Sequence, residues 1–219
     1  MVNTRKIVII YDFDGTFYSG EHIFDNVKNK VDENKRKFLP FVTDEQYEEI
    51  CTRFPLWKEK SSGADIVDLI YSIKTAYPNL NISTAAFWQW QQDDRYDIVL
   101  DNTKLVSPTF IEKICSLYPV YLVSNSSYSH LDYYLKKLGH NPNWFKKIIS
   151  NKFEEFDRTK KHYYKSIMES ENCAAEDILV FGDSDKNDLQ PARILNMKTY
   201  LVCDATRLEQ ITFDAINKI

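Results

Sequence analysis

Glycine is scarce in this sequence: the chain has 219 residues and only 5 glycines, whereas ordinary composition gives about 15. This shortage excludes collagen-like chains, glycine-rich low-complexity chains and long flexible linkers, because each of them needs glycine in bulk. The hydrophobic content of 43% argues against disorder. We therefore expect one domain with a sizeable insertion, or two small domains, with a buried core.

An excess of positive charge is also lacking, as are paired cysteines and long apolar runs. The 28 basic and 32 acidic side chains leave a net charge of −4, so a nucleic-acid polymer is not an expected partner. The 4 cysteines form no CxxC pair, which argues against a zinc ribbon or disulfide scaffold and predicts reduced, mostly buried thiols. The apolar run at 7–11 is too short for a secretion signal or a membrane span. We expect a soluble, cytoplasmic protein without membrane contacts.

Short apolar runs predict strands that are buried on both faces of a parallel sheet. Four are clear, at 7–11, 120–123, 178–181 and 199–202, and a weaker one lies at 147–149. Helical patterns separate them: Ser107 and Pro108 can begin one helix, a stripe from Leu131 to Leu138 precedes Gly139, and another begins at Tyr163. This alternation predicts an α/β fold with a doubly wound, Rossmann-like parallel sheet in three α/β/α layers, with ligands at the carboxyl ends of the strands.

The alternation of strand and helix is missing between Thr16 and about Leu105. Thr43 and Gln46 form a capping box there, and an apolar stripe of helical spacing covers 66–73. We expect a mainly α-helical cap domain at 18–104, inserted into a catalytic core that consists of 1–17 and 105–219.

Two carboxylates follow the first strand, in Asp12-Phe13-Asp14-Gly15-Thr16. At spacing i and i+2 they project to one side, and their repulsion is costly unless a cation or a phosphate site offsets it. An ordinary polar turn after a strand would also use aspartate and glycine.

A second acidic loop, Gly182 to Asp188, follows the run at 178–181. If the two strands are parallel neighbours, Asp12 and Asp183 converge, and their hard oxygen ligands suit Mg²⁺ better than Zn²⁺. After the run at 120–123, Ser124 and the backbone N–H of Asn125 offer an anion site, although both residue types are also favoured helix caps.

Together and in this order, these motifs resemble those of the haloacid dehalogenase superfamily of phosphotransferases, over nearly the whole chain. The resemblance rests on DxDGT from Asp12 to Thr16, on Ser124 after the second strand, on a lysine before a later helix, and on GDSxxND from Gly182 to Asp188. Within that family, the chain most resembles phosphatases that have a helical cap between the first and second motifs.

The resemblance implies a role for each acidic residue. Asp12 would be the nucleophile that forms an aspartyl-phosphate, and Asp14 the general acid and then base. Mg²⁺ would be held by Asp12, the backbone carbonyl of Asp14 and Asp183, with Asp188 supporting the metal's water shell or the lysine.

The resemblance also implies residues that bind the substrate phosphate: Gly15, Thr16, Ser124, Asn125 and a lysine. Lys160 and Lys161 are both candidates for that lysine. The helical spacing of the following apolar positions favours Lys160 as the active-site lysine.

The function implied by the resemblance is a Mg²⁺-dependent phosphatase that acts on a small phosphomonoester, such as a sugar phosphate or a nucleotide, as a monomer or homodimer. Asp14 argues against the haloacid dehalogenases and phosphonate hydrolases of the family, which lack an aspartate at that position. A phosphomutase of the β-phosphoglucomutase type shares the motifs and is the alternative. A non-catalytic phosphate-binding regulatory module is a further one.

Aromatic residues and histidines carry less information. Trp57, Trp88 and Trp90, with Tyr18 close to the nucleophile, suit stacking on a base or sugar ring, but we favour a place in the core of the cap. The 4 histidines show no metal-binding spacing, which predicts surface or capping positions for His22, His130, His140 and His162.

Overall fold

The computed structural model describes residues 6–18, 43–53, 75–79, 105–126, 128–150 and 160–219. The chain divides into two compact units, the first formed by 1–20 and 104–219 and the second by 21–103. Most of the expected cap, including the stripe at 66–73 and the three tryptophans, lies outside the described residues. The domain bounds and the helical content of the cap therefore stay predictions.

A parallel sheet of five strands forms the centre of the first unit. Its strands are β1 (Val8–Tyr11), β2 (Val120–Ser124), β3 (Lys147–Ser150), β4 (Ile178–Gly182) and β5 (Lys198–Leu201), in the spatial order β3-β2-β1-β4-β5. All five apolar runs are thus confirmed as strands, with small shifts at their ends. Tyr11 of β1 pairs with Leu122 of β2 and with Phe181 of β4, so the polar residues that follow these three strands meet at one edge of the sheet.

Helices and short turns connect the strands. The described helices are α1 (Asp44–Arg53), α2 (Pro108–Leu117), α3 (Tyr128–Lys137), α4 (Lys161–Glu171), α5 (Gln190–Ile194) and α6 (Leu208–Ile216). Helix α2 begins at Pro108 as expected, and α3 ends just before Gly139. In the second unit, the Thr43 hydroxyl accepts from the Gln46 N–H at 3.2 Å and the Thr43 N–H donates to Gln46 Oε1 at 3.0 Å, which confirms the capping box before α1. Within the described ranges, none of the helices is long and apolar enough to cross a bilayer.

Both faces of the sheet are covered by helices. Val8 and Ile10 pack on one face with Tyr164 and Ile167 of α4. The side chain of Tyr11 points to the other face, where its hydroxyl lies 2.9 Å from that of Thr212 in α6. Coverage of both faces explains why the strands read as continuous apolar runs, and it confirms the doubly wound α/β class.

The surface or capping position expected for His140 is wrong. Its ring is 1% exposed and packs edge-on against Phe17 at 5.3 Å between ring centroids. Burial lowers the pKa of His140 to about 4, and neither ring nitrogen has a hydrogen-bond partner within the described part of the chain. The neutral imidazole acts here as an aromatic core residue. Of the described cysteines, Cys115 and Cys173 are half-buried and Cys203 is exposed, so the expectation of mostly buried thiols is not confirmed for them.

A buried carboxylate at the amino-terminal edge of the sheet contacts one residue of β2 and residues just before β1 and β3. Glu171, at the end of α4, is 3% exposed. It accepts a hydrogen bond from the Tyr121 hydroxyl and forms ion pairs with Lys6 at 2.7 Å and Lys146 at 2.6 Å. Burial acts to raise the pKa of Glu171, but the hydrogen bonds from Lys146, Lys6 and Tyr121 outweigh it and lower the pKa to about 2.

We expect Glu171→Gln to lower the free energy of unfolding by about 1–3 kcal/mol near neutral pH, because it removes the charge that both lysines contact. A carboxyl group with a depressed pKa stabilises the fold above its unfolded pKa, and this contribution fades as the pH falls from about 4.5 towards about 2. The difference between the variant and the wild type, measured by urea unfolding at about pH 7 and about pH 3, should therefore shrink at the lower pH. Glu169→Gln on the same helix is the control, since Glu169 is exposed and lies 3.8 Å from an exposed Lys165. An equal loss in both variants, or a loss independent of pH, would contradict this account.

Candidate active site

One helical turn follows β1 and arranges the first group of polar side chains. The Phe17 N–H donates to the Phe13 carbonyl at 2.9 Å, and in such a turn side chains four residues apart are neighbours. Accordingly the Thr16 hydroxyl donates to Asp12 Oδ2 at 3.2 Å, and the Tyr18 hydroxyl donates to Asp14 Oδ1. The turn therefore holds both aspartates of the first motif by contacts within the motif region itself.

Lys160 links that motif to the other strands. Its ammonium, 1% exposed, lies 2.5 Å from Asp12 Oδ1 and 2.8 Å from Asp188 Oδ1 and donates to the Val123 carbonyl at 2.8 Å. Lys161 begins α4 and is exposed, so the structure brings Lys160, and not Lys161, to the carboxylates. Burial acts to lower the pKa of Lys160, but the Asp12 and Asp188 carboxylates outweigh it and hold the pKa well above its ordinary value.

The acidic loop after β4 reaches the same place. Carboxylate oxygens of Asp12, Asp183 and Asp188 lie within 4.8 Å of one another. Asp188 is buried, and its second oxygen accepts from the Ser184 N–H at 3.0 Å. Of the two roles expected for Asp188, contact with the lysine is thus present. Asp185 faces solvent, where it pairs with Arg193 at 2.6 Å.

This arrangement of carboxylates fits a divalent cation. Burial raises the pKa of Asp12 well above its usual range, which Lys160 opposes and the carboxylates of Asp188, Asp183 and Asp14 reinforce. Burial, reinforced by the charge of Asp188, raises the pKa of Asp183 to about 7. Lys160 alone does not compensate so many negative charges. Clustered carboxylate oxygens without nitrogen or sulfur donors are the ligands that Mg²⁺ prefers.

Two glycines make the close approach of these loops possible. Gly15 has φ +80°, and a Cβ atom there would lie 2.1 Å from Oδ2 of Asp183. At Gly182, a Cβ atom would lie 2.6 Å from both Cβ and Oδ2 of Asp188. Real Cβ atoms essentially never approach another atom this closely, so a side chain at either position would force Asp183 or Asp188 to shift. The backbone itself forms the floor against which Asp183 and Asp188 pack.

The segment after β2 supplies hydroxyl groups to Asp14. The Ser126 hydroxyl donates to Asp14 Oδ2 at 2.5 Å, and the Ser124 hydroxyl donates to the same oxygen at 3.3 Å. Ser124 Oγ in turn accepts from the Ser126 N–H at 3.0 Å. Asn125 lies between them, and its side-chain oxygen is buried with no hydrogen-bond partner in the described ranges.

Every residue that the sequence analysis placed at the site lies at this edge of the sheet: Asp12, Asp14, Gly15, Thr16, Ser124, Asn125, Lys160, Asp183 and Asp188. The contacts of Tyr18, Ser124 and Ser126 with Asp14 were not anticipated. Tyr18 was expected close to the nucleophile but in the core of the cap; it is 2% exposed and packs edge-on against Phe13 at 5.5 Å between ring centroids. The spacing of four residues from Asp14 to Tyr18, parallel to that from Asp12 to Thr16, is the signal that could have indicated the Tyr18 contact.

A Rossmann-like sheet with paired aspartates after its central strand, a buried lysine and an acidic loop characterises one class of hydrolases with a Rossmann-like fold. The sequence profile of the haloacid dehalogenase-like hydrolases matches residues 8–195, and the chain belongs to that family. No curated protein sequence matches the chain significantly.

Solved structures share this fold at low sequence identity. YfnB from Bacillus subtilis, provisionally assigned as a HAD-hydrolase and bound to magnesium, is 18% identical with a TM-score of 0.56, and the match covers 97% of this chain and 100% of that one. A predicted phosphoglycolate phosphatase from Haemophilus somnus is 16% identical with a TM-score of 0.57, over 96% and 99% of the two chains. A protein from Thermotoga maritima, provisionally assigned as a β-phosphoglucomutase, is 16% identical with a TM-score of 0.50, over 95% and 91%. At these identities the comparison establishes the fold.

Proposed function

We propose that this hydrolase is a Mg²⁺-dependent phosphatase that cleaves small phosphomonoesters through an aspartyl-phosphate on Asp12. One arrangement carries the proposal. The buried Asp12 carboxylate lies close to the Lys160 ammonium and to two further carboxylates, and Asp14, two residues along the chain, accepts hydrogen bonds from three hydroxyl groups. A nucleophile and a separate proton carrier are the two groups that a two-step phosphate transfer requires.

The chain's own residues account for both steps. A carboxylate oxygen of Asp12 bonds to phosphorus while the bond to the ester oxygen breaks, and Asp14 gives its proton to that departing oxygen. Asp14 then takes a proton from water as the water attacks phosphorus, which releases phosphate and restores the Asp12 carboxylate. The Ser124 hydroxyl, the Asn125 N–H and Lys160 would bind the non-bridging phosphate oxygens, with Gly15 and Thr16 lining the turn beside them.

Asp12, Asp183 and the backbone carbonyl of Asp14 would hold Mg²⁺, with Asp188 supporting the site. When bound, Mg²⁺ would neutralise negative charge, so that an anionic substrate can approach an anionic nucleophile. The raised pKa values of Asp12 and Asp183 support this, because burial and the neighbouring carboxylates disfavour their negative charges and Lys160 offsets this only in part.

The contacts of Asp14 favour phosphate esters over haloacids as substrates. A halide leaves without a proton, so a dehalogenase has no use for an acid at this position, whereas an alkoxide leaving group needs one. Three hydroxyl groups that orient Asp14 therefore support phosphate chemistry. For the compartment we propose the cytoplasm, since the described Cys115, Cys173 and Cys203 are unpaired thiols.

A panel of substrates assayed with Mg²⁺ and with excess EDTA tests the proposed function. It contains p-nitrophenyl phosphate, sugar phosphates, nucleotides, short-chain alkyl phosphates and chloroacetate. We expect hydrolysis of at least one phosphomonoester, a loss of about 10²-fold or more in EDTA, and recovery when Mg²⁺ is restored.

The other outcomes separate the alternatives. Release of chloride from chloroacetate without phosphatase activity would show that the protein is a dehalogenase and not a phosphatase. Interconversion of sugar phosphates that depends on a bisphosphate activator would indicate a phosphomutase. Binding of phosphate without turnover of any compound would indicate a regulatory module.

A further inference from the structure

We infer that Tyr18 and Ser126 are positioning residues that form a clamp on the Asp14 carboxylate, with one hydrogen bond to each of its oxygens, and that this clamp matters most for substrates with poor leaving groups. The inference rests on the proposed function, because Asp14 needs an orientation only if it carries a proton to the leaving oxygen. The helical turn after β1 supplies Tyr18 to this clamp, and the segment after β2 supplies Ser126.

Each oxygen of Asp14 has its own donor. Oδ1 accepts from the Tyr18 hydroxyl, which comes from the same turn. Oδ2 accepts from the Ser126 hydroxyl at 2.5 Å, which comes from the neighbouring strand β2 through the segment that follows it. A carboxylate held at both oxygens cannot rotate about its terminal bond without losing one of these hydrogen bonds, so its plane is fixed.

The Tyr18 side of the clamp is rigid. The side chain is 2% exposed, and its ring packs edge-on against Phe13 at 5.5 Å between centroids. The backbone is held as well, since Tyr18 forms an antiparallel bridge with Leu105 and the Val106 N–H donates to the Phe17 carbonyl at 3.0 Å. A phenol fixed by packing and backbone pairing orients its acceptor at little entropic cost.

Ser124 also donates to Asp14 Oδ2, but its hydrogen bond is longer, at 3.3 Å against 2.5 Å for Ser126. Ser124 is therefore the hydroxyl that can turn to a substrate phosphate oxygen while Tyr18 and Ser126 keep Asp14 in place. Ser124 would thus bind the phosphate, while the hydroxyl groups of Tyr18 and Ser126 orient Asp14.

A comparison of substrates with different leaving groups distinguishes a positioning role of Tyr18 and Ser126 from a purely structural one. Nitrophenolate leaves without a proton, whereas an alkoxide must receive one in the transition state. We expect Tyr18→Phe to lower kcat/KM for the best alkyl phosphomonoester of the substrate panel about fivefold to tenfold relative to p-nitrophenyl phosphate, which is the weight of one hydrogen bond in a transition state. Because kcat/KM extends only to aspartyl-phosphate formation, it reports the step in which Asp14 is the acid. Ser126→Ala should change the ratio in the same direction.

Tyr11→Phe is the matched control, because it also removes one buried hydroxyl group from the β1 region but that hydroxyl contacts Thr212. It should alter thermal stability without altering the ratio of the two kcat/KM values. Equal losses on both substrates in Tyr18→Phe and Ser126→Ala, or no loss, would overturn the positioning role and leave the phosphatase intact. If the wild type hydrolyses p-nitrophenyl phosphate but no alkyl phosphomonoester, the positioning role alone fails. If it hydrolyses no phosphomonoester at all, the proposed function fails and the positioning role fails with it.

Discussion

Asp12→Asn is expected to abolish Mg²⁺-dependent hydrolysis of p-nitrophenyl phosphate, with a loss on the order of 10⁴-fold or more. An amide oxygen is a poor nucleophile towards phosphorus, so no covalent intermediate can form. The fold should tolerate the change, because Asp12→Asn also relieves the repulsion between Asp12 and the carboxylates of Asp14, Asp183 and Asp188. Steady-state rates together with thermal unfolding of the same samples check both halves of this expectation.

Asp185→Asn provides the matched control for Asp12→Asn. Asp185 belongs to the same acidic loop as Asp183 and Asp188, but it is exposed and paired with Arg193. Its replacement should leave kcat/KM within about twofold of the wild type. Full activity in Asp12→Asn would remove Asp12 from the role of nucleophile, and equal losses in both variants would point to a nonspecific effect of charge.

Lys160→Ala has the second-largest expected effect, a loss of about 10²–10³-fold in kcat/KM, which is typical when one preorganised positive group is removed from a phosphate site. The stability should fall too, because the ammonium is the shared partner of two buried carboxylates, Asp12 and Asp188. Excess Mg²⁺ should restore part of the stability but little of the rate, since a cation can replace the lost charge without replacing the contact with substrate. Rates and melting temperatures across a Mg²⁺ titration separate these contributions.

Lys161→Ala is the neighbouring control, as Lys161 is exposed and begins α4. Both its rate and its stability should remain close to those of the wild type. If only Lys161→Ala lost activity, the assignment of the lysine would be wrong. Loss in both variants would mean that the start of α4, rather than one ammonium group, determines activity.

The strands and their class were predictable from the sequence because burial on both faces leaves an unambiguous pattern. Ile7 to Tyr11 and Ile178 to Phe181 contain no polar residue, and only the interior of a parallel sheet suits such runs. The spatial order of the strands was not predictable from these runs. The order depends on which strands pair, and the apolar sequences of β1 and β4 are so similar that they do not indicate which strand lies next to which.

The sequence predicted those site residues that directly follow a strand. Asp12 and Asp183 follow apolar runs directly, so parallel pairing alone predicts their convergence. The contacts of Asp188 with Lys160 and of Ser126 with Asp14 depend on how loops fold back over the sheet edge, which residue spacing does not determine. His140 shows the limit most clearly, since a polar residue after a helix end was expected at the surface and instead packs among aromatic rings.

The pairing of β1 with both β2 and β4 has a consequence for how the protein folds. Val8 pairs with Ile178 and Ile9 with Val120, so the central strand, which comes first of the five along the chain, finds one neighbour only at residue 120 and the other only at residue 178. Such long-range pairings form late, because the entropy of closing large loops must be overcome before any contact is gained. During synthesis, the carboxylates that follow β1 would therefore meet Lys160, Asp183 and Asp188 only after residue 188 has left the ribosome, and no intermediate that ends before it would contain the assembled site.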